Sequence, residues 1–360
     1  MKILLLAEDK SANTLAWVSA FKEQGCEIKI VSARADKSYG NVIALGMNYL
    51  PPRMKFLLGA KRIKDIIEKE SPDIVIGYRI TSYGYLASIS GFHPLVLAAQ
   101  NEKIVRVPVY LLPFKPLFDY CARYALRNAD LIHSWGSNIS KNLILLGADP
   151  KHVLTMHRGI DTSIFYPSTE RNFSCTKPPV LVSTRSLYPD YKIDLVIRAF
   201  ALFTKVYPSA VFKIVGDGPE RKKLEKLSSK LKCQKNIFFL GRQSPEQIAD
   251  VLRKSDIYIS LTQTEGISSS LIEACACGLF PIISDIPASR EIVKNGENGI
   301  LISSSNPSNI NESLVIAYKN IEMRKKALEI NKTIVRERFD SKKNNAFFIS
   351  EYRRLIDKKH

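Results

Sequence analysis

The chain has 360 residues, 45% of them hydrophobic and 24% charged, which is long enough for two domains with sizeable cores and too apolar for intrinsic disorder. A formal net charge of +18, spread through both halves rather than held in a tail, calls for partners of negative sign such as phosphate groups or anionic lipid. Nucleic acid is disfavoured as that partner, because no basic region with interleaved aromatics, zinc-finger spacing or RNP-like strand is present. Six cysteines stand at 26, 121, 175, 233, 275 and 277 without a C-x-x-C pair, and five histidines are scattered, so no metal site is expected and a reducing compartment is. Cys275 and Cys277, two apart on a helix, point to different sides and read as small packing residues.

Residues 1–7 (MKILLLA) are too short and too soon followed by Glu8 and Asp9 for a secretion signal, and they read as a first buried strand. Residues 80–101 lack Asp, Glu, Lys and Arg but hold Thr, Ser, Gly, His and Pro, which suits a helix and a strand better than a bilayer span. The expectation is a cytoplasmic protein, peripheral at the inner membrane face if its basic surface meets lipid. The local candidate for that contact is residues 51–64 (PPRMKFLLGAKRIK), where apolar side chains sit among five basic ones. The alternative, with slightly more weight, is that Phe56, Leu57 and Ile63 face the core.

In chain order, strands are expected at 3–7, 27–32, 74–77, 95–99, 103–107 and 130–133, with helices at 14–24, 57–69 and 117–128 between them. Such alternation means parallel pairing and a doubly wound sheet. Ligands of these sheets bind at the carboxyl ends of strands, here the loops at 9–12, 78–83, 100–101 and 134–137. Residues 159–177 lose periodicity and gather Pro, Ser and Thr, and they read as a linker. The alternation then restarts, with strands at 180–183, 211–215, 237–240, 257–261 and 280–284 and helices at 193–207, 220–231 and 245–253. Helical spacing dominates from 311 to 359, and residues 339–355 are placed to pack back across both halves. The expected domains are 1–168 and 169–335, with 336–360 as a C-terminal helix returning to the first.

The chain is organised around residues 264–285, TEGISSSLIEACACGLFPIISD. They read as a loop, a short helix from about Leu271, a stop at Gly278 and a buried strand. Free backbone N–H groups at such a helix start, flanked by small residues, form an anion site that needs no metal. Glu265 and Glu273 bracket it, eight positions apart. A plainer reading makes Ser270 and Glu273 a capping box, in which Glu273 bonds back to its own helix. Arg185 and Lys192 follow the first strand of the second half and can reach the same sheet edge, where fixed cations would stabilise a diphosphate, although a plain surface pair fits too. The turn Gly216-Asp217-Gly218-Pro219 is either a phosphate-proximal G-x-G or ordinary turn chemistry.

Taken together, the pieces ALRNADLI, Gly159-Ile160-Asp161, STRSLYPDYKIDLVIRAF, VGDGPERKKLE, IFFLGRQSPEQIADVLRKSDIYIS and EGISSSLIEACACG resemble, in order and spacing, retaining glycosyltransferases of family 4. The resemblance covers roughly residues 129–299, and the N-terminal half matches only loosely. It implies an α/β GT-B fold, two Rossmann-like doubly wound parallel-sheet domains facing a cleft, with acceptor bound by the first and nucleotide-sugar by the second. It also implies a hexosyltransferase-type enzyme that moves sugar from a nucleotide-sugar donor to a hydroxyl of a glycan or lipid-linked acceptor, in cell-surface polysaccharide or glycolipid synthesis. The nucleotide-sugar is then a substrate, and neither cofactor nor metal is needed.

The same resemblance assigns roles. Glu265 would lie beside the donor sugar, and Arg185 and Lys192 would clamp the diphosphate. Glu273 would bind the ribose hydroxyls, while the backbone through Gly266, Ile267, Ser268, Ser269, Ser270 and Leu271 would receive the phosphates. The loops holding Gly216, Asp217 and Gly218, and Gly241 and Arg242, would line the base and ribose pocket. Departures lie mostly in the first half. Asp9-Lys10-Ser11-Ala12 replaces a glycine pair, leaving Lys10, Ser11 and Asn101 as N-domain candidates; Tyr78 or residues 100–102 stand for a common histidine; and Arg158 stands where asparagine is usual. Those departures motivate an alternative, a degenerate relative that binds nucleotide-sugar or lipid as a partner subunit without catalysis.

Overall fold

The structure, a computed structural model, describes residues 1–50, 52–100, 104–105, 113–168, 173–174, 176–303 and 306–358. It opens with β1 (Lys2–Leu6), α1 (Ala12–Glu23), β2 (Glu27–Ser32), β3 (Val42–Ala44), α2 (Pro52–Leu58), α3 (Ala60–Glu70) and β4 (Ile74–Tyr78). A π-helical turn (Arg79–Gly84) leads into α4 (Tyr85–Ser88), β5 (Leu95–Ala99), α5 (Lys115–Arg127), β6 (Leu131–Ser134), α6 (Ser137–Leu145) and β7 (Val153–Thr155). The chain continues through β8 (Val180–Ser183), α7 (Ile193–Val206), β9 (Val211–Val215), α8 (Arg221–Lys230), β10 (Ile237–Gly241), α9 (Pro245–Arg253) and β11 (Ile257–Ser260). Then come α10 (Ser269–Ala276), β12 (Phe280–Ser284), α11 (Pro287–Arg290), β13 (Ile300–Ile302), α12 (Pro307–Lys319), α13 (Ile321–Arg338) and α14 (Ser341–Asp357).

Two compact units result, one of Met1–Arg158 with Ser341–His360 and one of Gly159–Asp340. The break therefore falls at Gly159 and not after residue 168. The start of the expected linker is tied into the second unit, with Ile160 bridged to Asp340 and Phe165 in its core. The strand expected at 103–107 lies largely outside the described residues.

In the first unit a seven-stranded parallel sheet has the order β3-β2-β1-β4-β5-β6-β7. Its central strands are apolar apart from the exposed Lys2 that opens β1, as strands covered on both faces must be, and Ile3 to Leu6 are at most 2% exposed. The last helix joins this core through Phe348, Ile349 and Tyr352. The second sheet has six parallel strands in the order β10-β9-β8-β11-β12-β13. Each sheet changes direction once, between β1 and β4 and between β8 and β11. The loops leaving those strands diverge and leave a crevice at their carboxyl ends.

The three-residue edge strands β3, β7 and β13, the π-helical turn and α6 have no counterpart among the sequence expectations. Edge pairing this short is fixed by the neighbouring strand and leaves no periodic signal of its own. One expected helix, 57–69, is instead two, α2 and α3, meeting at Gly59. In that region Lys55 is buried and donates from Nζ to Ala33 O and Asn48 Oδ1, both at 3.0 Å. Phe56 packs edge-on to Tyr83 at 4.9 Å and Ile63 is fully buried, whereas Met54 and Leu58 are 40% and 58% exposed, so this segment turns only part of its apolar side chains inward. Among the described residues, no helix is long and apolar enough to cross a membrane.

An aromatic cluster closes the first unit, built on Trp17, Tyr78, His133, Trp135, His157 and Tyr352. Burial pulls both histidines down from 6.5 to about 3, with the Arg158 charge adding to the effect at His157. The unfolded chain therefore takes up protons below about pH 6.5 that the folded chain refuses until about pH 3. Stability from this source is complete above pH 6.5 and is lost as pH falls through that window. Thermal unfolding between pH 7 and pH 4.5 should show a falling midpoint, and His133→Phe should flatten the slope. An equally steep slope in that variant would remove His133 as its cause.

Candidate active site

At the switch between β8 and β11, the loop after β8 carries Arg185 and the loop after β11 carries Glu265 and the start of α10. Arg185 is 6% exposed. One of its terminal nitrogens donates to Ser268 Oγ at 2.7 Å and Ser270 Oγ at 2.8 Å, and the other is paired with Glu265 Oε1. The Tyr191 ring lies 4.0 Å from the guanidinium carbon, a cation–π contact on its open face. Burial acts against the charge, and the Glu265 carboxylate together with Tyr258 and Tyr191 more than offsets it, so the guanidinium is held above its ordinary range. Arg185 is thus caged and permanently charged, rather than a loose surface cation.

The cage changes how α10 begins. Its N-cap is Ser268, three residues before the helix start suggested by sequence, and the Ser268 hydroxyl makes no cap bond because it is engaged by Arg185 and Ser270. Ser270 is already the second helical residue, so the Ser270–Glu273 spacing does not form a capping box. The first N–H groups of α10 are left without side-chain capping, at the end of a helix whose dipole favours an anion. Ser183 Oγ, Thr184 Oγ1 and Arg185 Nε, on the strand end below, are buried with no hydrogen-bond partner among the described residues. Gly266 is buried, Ile267 and Leu271 are 8% and 3% exposed, and Ser269 is partly exposed. Glu273 lies one turn further along, half-buried.

Two glycines hold the neighbouring turn against this cage. Gly216 has φ +134°, and a Cβ there would lie 2.3 Å from Arg185 O; one at Gly218 would lie 2.5 Å from Leu187 O. Leu187 N donates to Asp217 O, and Gly216 N to Gly241 O at 2.8 Å, so the loops after β8, β9 and β10 are bonded in series. Gly241 also has positive φ, +68°, but a Cβ there meets nothing closer than Arg221 Nη1 at 3.5 Å. Arg242 is exposed beside it.

Lys192 sits in the left-handed region (φ 46°) between a 3₁₀ turn and α7. It lines a cavity of about 200 Å³ with Thr262, Gln263, Ser284 and Asp285 at the carboxyl ends of β11 and β12. Asp285 is held below the usual carboxylate range by its hydrogen bond from Arg290. Arg185, Glu265, Ser268 and Ser270 are thus in direct contact, the Gly216 and Gly241 turns are bonded to that loop, and Lys192 faces the adjoining cavity.

Two residues went unread in the sequence. Tyr258, buried on β11, donates from its hydroxyl to Ser270 Oγ at 3.0 Å and fixes one wall of the cage. Its signal is a phenol in an otherwise aliphatic strand. Tyr191, immediately before Lys192, supplies the stacked ring. In the first unit Ser11 is the N-cap of α1 with no side-chain cap bond, Lys10 is exposed, and Asn101 lies outside the described residues. Among the described residues no group of three or more His, Cys, Asp or Glu side chains could hold a metal ion. Cys275 and Cys277 are buried packing groups, and burial pushes the Cys275 thiol up to about 12.

Comparison with known proteins bears on the fold and the family. Residues 168–333 match the family described as Glycosyl transferases group 1, and residues 2–135 that described as Glycosyl transferase 4-like. An uncharacterized glycosyltransferase of Methanocaldococcus jannaschii is 25% identical over 86% of this chain and 84% of its own length. The N-acetyl-alpha-D-glucosaminyl L-malate synthase of Bacillus anthracis is 22% identical over 81% of this chain and 76% of its own. Among solved structures, Anabaena HepE in complex with UDP and glucose superposes with a TM-score of 0.75 at 15% identity, covering 98% of this chain and 99% of that one. A glycosyltransferase from Rickettsia africae reaches 0.78 at 18% identity, covering 99% and 98%. The fold and the family matches define an α/β enzyme of the GT-B class, a nucleotide-sugar-dependent glycosyltransferase. Within that class the chain is family 4-like, its first half matching the 4-like model and its second the group 1 model.

The turn geometry separates two glycines that look alike in sequence. Gly216→Ala forces a Cβ into backbone and should cost roughly 3 kcal/mol, whereas Gly241→Ala meets only strain of about 1–2 kcal/mol. Denaturant melts of the two variants test this ranking, and equal costs would contradict the packing described.

Proposed function

We propose that the chain transfers a sugar, with retention of anomeric configuration, from a nucleotide-sugar to a hydroxyl of a glycan or lipid-linked acceptor in cell-surface polysaccharide or glycolipid synthesis. The observation that carries this reading is the uncapped start of α10 beside a buried, permanently charged arginine. Such a pairing suits a diphosphate and needs no metal or cofactor. The Bacillus anthracis relative is named as a synthase of N-acetyl-alpha-D-glucosaminyl L-malate, and Anabaena HepE is described in complex with UDP-glucose, which supports the choice of donor class.

In this reading the phosphates lie on the N–H groups from Ser269 to Leu271. Three of the five N–H donors of Arg185 are engaged by Ser268, Ser270 and Glu265, which leaves one hydrogen of the Glu265-bound nitrogen for phosphate oxygen, while Nε–H stays buried at the strand end. Lys192 adds charge from its cavity. Glu273 binds the ribose hydroxyls, Glu265 faces the sugar, and the Gly216–Gly218 and Gly241–Arg242 turns form the base and ribose pocket. As the bond from sugar carbon to phosphate oxygen breaks, negative charge grows on the diphosphate where these groups lie. The acceptor oxygen bonds to that carbon from the same face, and its proton passes to the departing phosphate oxygen. No covalent protein nucleophile is required.

Two measurements test it. UDP, GDP, ADP and their sugar conjugates are screened by thermal shift, where one nucleoside diphosphate should raise the midpoint in proportion to ln(1 + [L]/Kd) and none doing so would refute the donor site. Glu273→Ala, folded as wild type, should lower turnover by about 100-fold or more. Near-normal donor hydrolysis or transfer by that variant would sink its assigned role.

A further inference from the structure

We propose that the outer edge of α5 in the first unit is a docking surface for an anionic lipid bilayer. The helix buries Cys121, Ala122, Ala125 and Leu126 against the core. Beside that buried face, Leu117 and Tyr120 are 42% and 60% exposed and Phe114, at the N-cap, is 56% exposed. Spacings of three and four residues put Phe114, Leu117, Tyr120 and Tyr124 along one edge. The rings of Tyr120 and Tyr124 lie 6.3 Å apart. A run of large apolar and aromatic side chains on one helix edge differs from the singly scattered exposed hydrophobics found elsewhere on a soluble surface.

Charge selects the occupant. Arg123 and Arg127 are exposed, each three residues beyond a tyrosine of the stripe, and neither makes an ion pair among the described residues. The helix's one acidic residue, Asp119, is already paired with Lys115 at 2.6 Å. Aromatic rings bordered by unpaired cations match the interface of a bilayer carrying anionic headgroups, with tyrosine at headgroup level and arginine on phosphate. Residues 51–64 suit this less well, since Lys55 and Phe56 there are turned to the core.

Position adds a reason for the contact. The helix packs on α4 and on the π-helical turn that leaves β4, and Tyr124 meets Tyr85 of α4 edge-on at 6.0 Å. The surface therefore borders the carboxyl edge of the first sheet at its switch point, where an acceptor headgroup standing out of a membrane would arrive. This last step rests on the lipid-linked acceptor proposed above; the surface itself does not.

The test is co-sedimentation of the full chain with vesicles of phosphatidylcholine, with and without phosphatidylglycerol. Binding should require phosphatidylglycerol and weaken as NaCl is raised. It should be lost in Leu117→Ser/Tyr120→Ser, weaken about fivefold for each of Arg123→Gln and Arg127→Gln, and persist in Val206→Ser, an exposed apolar site in the second unit. All five positions are exposed, so thermal midpoints and UDP-induced shifts should match wild type. Loss of vesicle binding with an intact UDP shift would thus speak to the surface and not to the donor site. Wild type remaining in the supernatant, or variants sedimenting like wild type, would overturn the proposal. So would light scattering that shows a wild-type dimer broken by the Leu117/Tyr120 variant while vesicle binding is unchanged, which would assign the edge to a second copy of the chain.

Discussion

The candidate site in the second unit depends on one buried charge, that of Arg185. Burying the Arg185 guanidinium is costly unless its donors are met, and Glu265, Ser268 and Ser270 meet three of the five. Their engagement has a consequence for the helix that follows. A serine at an N-cap ordinarily bonds back to its own helix, but Ser268 is held by Arg185, and α10 presents its first N–H groups uncapped. Electrostatic pull and open donors then occur at one place, at the carboxyl ends of β8 and β11, where the strand order reverses.

The glycine turns follow from the same constraint. For Arg185 to sit in its cage, its backbone must run against the loop after β9, and only residues without Cβ at 216 and 218 allow that approach. Gly216 in turn bonds Gly241, so the loops after three neighbouring strands are placed relative to one buried cation. Tyr258 steadies the arrangement from below through Ser270. A G-x-G that is weak evidence by itself acquires meaning from the backbone that lies across it.

Much of this was legible in the sequence. The apolar runs at residues 3–6, 74–78, 181–182 and 280–283 read as strands of covered parallel sheets, and the alternation with helices gave the doubly wound order. Glu265, Arg185 and the serines stood out by residue type and order. What could not be read is where Ser268 directs its hydroxyl. A capping box and an anion site share the same local spelling, and the choice between them is made by a residue more than eighty positions away. Tyr258 was hidden for the same reason, since its partner is defined only in three dimensions. The short edge strands and the split at Gly59 depend on neighbours rather than on their own period. Lys55, a basic residue in a basic segment, proved to be an internal donor to Ala33 and Asn48, which no charge count foresees.

The most direct measurement of the central claim compares, by calorimetric titration, the affinity of UDP with that of uridine in the wild-type chain and in Arg185→Gln. If the arginine cage and the uncapped helix start together form a diphosphate site, UDP should bind far more tightly than uridine to the wild type, and Arg185→Gln should reduce that advantage by about tenfold or more while leaving uridine affinity little changed. A folded Arg185→Gln protein that keeps the full preference for the diphosphate would contradict it.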